Sequence, residues 1–128
     1  MTNSSAMPRL LVVEDEYLIR MLLEDMLDDL GYGIAAAVGT LSEAQQIAAD
    51  GDFSAAILDV NLDGQEIYPV ADILSRRNIP FVFVTGYGVL PGEYADRPRL
   101  CKPFKMAELL SAISDVVKPG GHEVCALR

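Results

Sequence analysis

The sequence predicts an α/β fold, a doubly wound five-stranded parallel sheet of order 2-1-3-4-5 with helices on both faces and a fourth helix that is short or irregular. Three observations predict it. Apolar runs of strand length recur without polar alternation, as in strands buried on both faces. Stretches with apolar residues at helical spacing separate them, so that strand and helix alternate along the chain. The best-defined runs stop abruptly at a polar residue, and in open α/β sheets ligand chemistry collects outside the carboxyl ends of the strands.

Taken in order, Arg9-Leu10-Leu11-Val12-Val13 reads as the first strand, closed by Glu14-Asp15-Glu16. From Tyr17 the period turns helical, with Ile19, Leu22, Met26 and Leu30 on one inward stripe that Leu18, Leu23 and Leu27 widen. Gly31 is the expected stop. Gly33 to Val38 forms a weaker strand, and Thr40 with Glu43 fits a capping box that starts the second helix. That helix carries Ala44, Ile47 and Ala48 inward and ends near Gly51. Phe53 to Asp59 is the third strand, followed by a polar turn containing Asn61, Asp63 and Gly64.

Ile67 to Arg77 reads as a helix with Val70, Ile73 and Leu74 facing the sheet, and Pro69 is tolerable only in its first turn. Ile79 to Val84 is the fourth strand, ending at Thr85. The next seven residues hold Gly86, Gly88, Pro91 and Gly92, which disfavour a stable helix. Arg99-Leu100-Cys101 is a short fifth strand running into Lys102-Pro103-Phe104. The last helix uses Leu109, Leu110, Ile113, Val116 and Val117 and stops at Pro119-Gly120-Gly121. Residues 1–8 read as a disordered arm, 9–118 as one domain, and 119–128 as a tail.

Composition narrows the function. A chain of 128 residues suits one domain. No apolar run approaches the roughly 20 residues of a membrane span, and the start lacks the pattern of a signal peptide. Two Cys and one His make neither a disulfide framework nor a soft-metal site, so the expected address is the cytoplasm. The net charge of −9 argues against nucleic acid and favours a cation or a basic patch on another protein. Cys101 is expected to be buried, Cys125 to be a free thiol, and Glu16, Asp63 and Glu66 to form a solvated rim. His122 carries no assigned role.

With strands one and three adjacent at the switch point, Glu14, Asp15 and Asp59 converge, and Thr85 and Lys102 flank Asp59 from the other side. Two carboxylates about 5 Å apart repel by roughly 3 kcal/mol at an effective dielectric near 20. A hard divalent cation relieves that strain, and carboxylates with a main-chain carbonyl, here from Asn61, suit Mg²⁺. An Asp beside Mg²⁺, an ammonium and a hydroxyl is equipped for phosphoryl transfer, because Asp is a competent nucleophile towards phosphorus.

At this point Leu11-Val12-Val13-Glu14-Asp15-Glu16, Ile57-Leu58-Asp59, Val84-Thr85-Gly86 and Lys102-Pro103-Phe104 together resemble the receiver domain of two-component response regulators. The resemblance spans residues 9 to 118. It implies that Asp59 takes phosphate from a sensor histidine kinase or a histidine phosphotransfer protein. It further implies that Glu14, Asp15, Asp59 and the Asn61 carbonyl hold Mg²⁺, that Thr85 and Lys102 sense the phosphoryl group, and that Pro103 follows a cis bond. The segments Phe83 to Gly88 and Pro98 to Phe104 are similar to the single-domain FATGUY receivers of alphaproteobacteria, which lack an output domain and have a degraded fourth helix. On that resemblance the chain is a stand-alone phosphoacceptor signalling through a protein partner or onward phosphotransfer, with Thr85, Gly86, Tyr87 and Gly88 as switch candidates.

The chain departs from the family pattern in having Glu14 where Asp is commoner, Asp63 where a Pro is usual, and Arg99 in place of a rotating aromatic. Tyr87 is then a core aromatic, a substitute switch or a partner contact. Two rivals share some features. Haloacid-dehalogenase-type phosphatases also use Asp, Thr, Lys and Mg²⁺, but they want a carboxylate two residues after the nucleophile, where this chain has Asn61. A flavodoxin-like module needs anion donors after the first strand, where Glu14-Asp15-Glu16 would repel phosphate. A third reading keeps the fold but leaves Asp59 idle in a constitutive interaction protein.

Overall fold

A computed structural model describes residues 8–86 and 90–117 of the chain. Tyr87 and Gly88, most of the N-terminal arm and the tail lie outside the described residues. In chain order the elements are β1 (Arg9–Val13), α1 (Tyr17–Asp29), β2 (Gly33–Val38), α2 (Leu41–Asp50) and β3 (Ala55–Asp59). Then come β4 (Asn61–Leu62), β5 (Gln65–Glu66), α3 (Tyr68–Arg76), β6 (Phe81–Thr85), β7 (Arg99–Cys101) and α4 (Met106–Val117).

The main sheet is parallel throughout in the order β2-β1-β3-β6-β7. Setting aside the two-residue ladder β4-β5, this is the order 2-1-3-4-5 expected of a doubly wound sheet with its switch point between strands one and three. Strand alternation divides the core into two layers. Leu11, Val13, Ala56, Leu58, Phe81 and Phe83 face α2 and α3, whereas Leu10, Val12, Ala55, Ile57, Val82 and Val84 face α1 and α4. Every residue of β3 and β6 is buried, because helices cover the sheet on both sides.

Local signals account for most boundaries. The Glu43 amide donates to Thr40 Oγ1 at 3.2 Å, and the Thr40 hydroxyl donates to the Glu43 carboxylate at 3.0 Å, which seals the start of α2. Gly31 ends α1 at φ +91°, where a side chain would be strained. Pro69 lies in the first turn of α3, where its missing N–H costs nothing.

Three expectations need correction. On α1 the period is right but the phase is shifted, since Leu23, Met26 and Leu27 are buried while Leu18 (77%) and Leu22 (51%) are exposed. Apolar side chains surround this helix, so periodicity alone could not choose the inward face. Leu110 of α4 is exposed rather than inward. Cys101 is exposed, because β7 buries only Leu100 and turns Arg99 and Cys101 outward. The turn after Asp59 is a hairpin, with β4 and β5 antiparallel around Asp63 and Gly64 at φ +52° and +91°. Asp-Gly is the pair such a two-residue turn favours.

Where the fourth helix of the fold would run, the described residues show only a 3-10 turn, Gly92–Tyr94. Its buried Tyr94 stacks on Tyr68 at a centroid distance of 5.1 Å, and both rings meet Phe83 edge-on. Arg97 anchors the return to β7 by lying 4.9 Å over the Phe81 ring and donating to Ser75 Oγ at 3.1 Å. Aromatic packing thus holds the described part of this connection, residues 90–98, to the rest of the fold.

Candidate functional site

Register decides which polar residues meet. Val13 of β1 pairs with Leu58 of β3, so the next residues, Glu14 and Asp59, leave the sheet side by side. Asp59 pairs in turn with Val84, and Val84 with Leu100, which brings Thr85 and Lys102 to the same edge. The Glu14 amide donates to Val38 O at 3.0 Å and the Lys102 amide to Thr85 O at 2.9 Å, extending the ladder one residue past each strand. The Lys102–Pro103 peptide is cis, in line with the resemblance.

The side chains converge as the strand ends require. Glu14, Asp15 and Asp59 each offer a carboxylate oxygen within 4.8 Å of the others. Lys102 Nζ lies 3.3 Å from Glu14 Oε1 and 3.4 Å from Asp59 Oδ2. The amides of Glu16 and Asn61 donate to Glu14 Oε2 at 3.2 Å and Asp59 Oδ1 at 3.4 Å. Asn61 turns its side chain to its own hairpin, accepting from the Gly64 amide at 2.7 Å. Glu14, Asp59 and Thr85 are the buried polar residues among those described. Thr85 and Asp59 line one cleft of about 390 Å³ with Gly86, Glu66 and Tyr68.

The electrostatics follow from burial and crowding. Glu14 is fully buried, and desolvation followed by the neighbouring Asp59 charge pushes its carboxyl up to about 7. Burial also raises Asp59, although the Glu14 hydrogen bond, Lys102 and the Asn61 amide pull the other way. Burial alone would lower the Lys102 ammonium, but Asp59 and then Glu14 hold it above its ordinary value. Lys102 is one cation against three acids.

This donor set fits Mg²⁺. The carboxylates are hard oxygen ligands, and Glu14 Oε1 is buried without a hydrogen bond despite its ion-pair contact with Lys102. A cation would complete its coordination. Of the residues singled out from the sequence, Glu14, Asp15, Asp59, Asn61, Thr85, Gly86 and Lys102 gather at this end of the sheet. Tyr68 is a cleft residue that the sequence reading overlooked, although Pro69 in the first helical turn marks Tyr68 as the helix start facing the strand ends.

Residues 10–114 match the family model described as the response regulator receiver domain. The phyllosphere-induced regulator PhyR of Methylorubrum extorquens is 34% identical over an alignment of 114 positions that covers 84% of this chain and 43% of that protein. The chain thus spans less than half of that relative's length. The solution structure of SdrG from Sphingomonas melonis Fr1 is 42% identical with a TM-score of 0.78, covering 91% of this chain and 98% of that one. The receiver domain of the sensor histidine kinase PA1611 from Pseudomonas aeruginosa, with magnesium coordinated in its active-site cleft, is 25% identical with a TM-score of 0.76. That match covers 88% of this chain and 99% of that one.

Proposed function

The chain belongs to the response regulator receiver family, and from that premise we propose that Asp59 is its phosphoacceptor and that phosphorylation depends on Mg²⁺. The observation that carries this reading is the meeting of Glu14, Asp15 and Asp59 within 4.8 Å beside the Lys102 ammonium. Glu14, Asp15, Asp59 and the Asn61 main-chain carbonyl would hold the metal, which supplies charge neutralisation at the phosphoryl oxygens.

The remaining chemistry belongs to the chain. The Asp59 carboxylate attacks phosphorus on a partner's phosphohistidine, the P–N bond breaks, and its electron pair leaves with the imidazole. Lys102, whose Nζ lies 3.4 Å from Asp59 Oδ2, balances the phosphoryl charge. Thr85, in the same cleft as Asp59, donates its hydroxyl to a phosphoryl oxygen and draws in Gly86 and the segment after it, the switch region that also includes Tyr87 and Gly88. Residues 9–118 form the receiver unit in this reading.

A partner surface adjoins the site. Tyr17, Leu18, Met21 and Leu22 expose apolar area on α1, and an apolar groove runs from Ile19 and Leu22 to Pro103 and Phe104 beside Lys102. This face suits a helical partner, a sensor histidine kinase or histidine phosphotransfer protein, that presents its histidine to Asp59. The signal then leaves through a downstream protein or by onward transfer to another histidine. Among the described residues no helix is long and apolar enough to cross a membrane.

Nothing favours the phosphatase reading. Asn61 stands where a general acid is needed, and its side chain is committed to the hairpin. Incubation with acetyl phosphate and Mg²⁺ followed by intact mass tests the proposal. The expected result is one added phosphate, lost in Asp59→Asn and without Mg²⁺. Sustained turnover of p-nitrophenyl phosphate would instead show an enzyme.

A further inference from the structure

The acidic cluster is aimed by a residue outside it. Arg20, one turn into α1 and half-buried, donates from Nη1 to the main-chain oxygen of Glu14 at 2.6 Å. Its guanidinium lies 5.6 Å from the centre of the Tyr17 ring, which limits its freedom. On its other side stands Gly39, just past β2, where an added Cβ would come within 2.6 Å of Arg20 Nη1 and 3.4 Å of Glu14 O. Glycine at 39 therefore leaves the space that the guanidinium fills. The backbone of Glu14 is gripped on both sides, its amide donating to Val38 O at 3.0 Å and its carbonyl accepting from Arg20.

That grip bears on the carboxylates. The Glu14 carbonyl belongs to the peptide that joins Glu14 to Asp15, so fixing it fixes the backbone from which both side chains reach toward Asp59. Three carboxylates that repel one another would otherwise splay the loop between β1 and α1 outward. Glu14 is also one methylene longer than the commoner Asp, so its carboxylate depends more on where its backbone is held.

We propose that Arg20 is a positioning residue that clamps the Glu14–Asp15 peptide in the space left by Gly39 and so presets the cation site. The inference rests on the metal reading above. An arginine in this place touches no ligand oxygen of a carboxylate. It acts through the backbone, as supporting groups around metal sites do, and loss of such a group typically costs about ten- to a hundredfold in metal affinity.

The test is Mg²⁺ affinity by calorimetry and by amide chemical shifts for the wild type, Arg20→Met, Gly39→Ala, the double variant and Asp59→Asn. Arg20→Met keeps the stem and removes the donor, while Gly39→Ala pushes the guanidinium aside, meets the Glu14 carbonyl oxygen only at van der Waals range and leaves every acidic side chain unchanged. Each single variant is expected to weaken Mg²⁺ binding by roughly tenfold. The double variant is expected to be no weaker than either, since both remove one contact. Melting temperatures of the metal-free proteins are expected to stay close to the wild type. Wild-type affinity in Arg20→Met, with Asp59→Asn impaired, would overturn the clamp alone. Additive losses, or losses that track falling melting temperatures, would overturn it as well. A wild type that takes up no Mg²⁺ would overturn the metal reading and the clamp with it.

Discussion

Glu14 has no route to solvent and two acidic neighbours, and its protonation is the largest pH-dependent quantity of the site that the structure brings out. Its carboxyl sits at about 7 in the fold against an ordinary 4.5, so between these values the folded state binds a proton that the unfolded chain has lost. Metal-free stability should therefore fall as pH rises from about 4.5 to 7 and level off above, by up to about 3 kcal/mol. Chemical denaturation at several pH values measures it. Glu14→Gln should flatten the slope and stabilise the metal-free protein at pH 8, and Mg²⁺ should stabilise the wild type more than the variant. Lys102→Met should have the opposite sign: without the ammonium 3.3 Å from Glu14 and 3.4 Å from Asp59, the acids are less tolerable and stability at pH 8 should drop. A stability unchanged from pH 5 to 8 in the metal-free wild type would contradict this electrostatic account.

Among the elements, α1 carries two jobs on two faces. Leu23 and Leu27 are fully buried in the layer that α1 forms with Leu10 and Val12 of β1, so Leu23→Ala should cost about 2–5 kcal/mol, read as a shift of the urea midpoint. Leu18, at 77% exposure, should change stability by no more than about 0.5 kcal/mol when made Glu. The same Leu18→Glu change should slow phosphotransfer from a phosphohistidine partner at least several-fold while leaving labelling by acetyl phosphate intact, because only the partner uses that face. Equal loss with both donors would place Leu18 in the chemistry instead. On α2, Thr40→Ala should cost about 1 kcal/mol by thermal melting, the ordinary worth of a side-chain cap. The outer phase of α1 was not legible in its sequence, since apolar residues ring the helix and only the sheet selects a side. The caps of α1 and α2 were legible, because Gly31, Thr40 and Glu43 act on backbone groups within one turn.

At the scale of the whole molecule, a chain of net charge −9 gathers its most crowded acids at one end of a parallel sheet. Charge of this sign is suited to drawing in a divalent cation and to meeting a basic partner surface, and it makes both associations dependent on salt. Among the described residues the connection between β6 and β7 shows only a 3-10 turn, and Tyr68, Phe83, Tyr94 and Arg97 hold that part through ring contacts. Arg99 faces outward from the edge strand, so it does not fill an inward aromatic position, and the Tyr68–Tyr94 stack lies against the cleft that Thr85 lines.

The amino-acid order by itself determined the alternation of strands and helices, a parallel doubly wound sheet and the strand ends at which Glu14, Asp15, Asp59, Thr85 and Lys102 stand. Those features follow from apolar periodicity and from the handedness of crossovers, which are local or nearly local. Only the tertiary structure decided which face of α1 is buried, that Cys101 looks outward, that Asp63-Gly64 closes a hairpin, and that Arg20 reaches the Glu14 carbonyl across the space at Gly39. The buried face of α1 and the outlook of Cys101 depend on packing against a neighbouring layer, and Gly39 stands far along the chain from Glu14 and Arg20; the hairpin and the Arg20–Glu14 contact close within short stretches, but residue type alone does not fix their geometry.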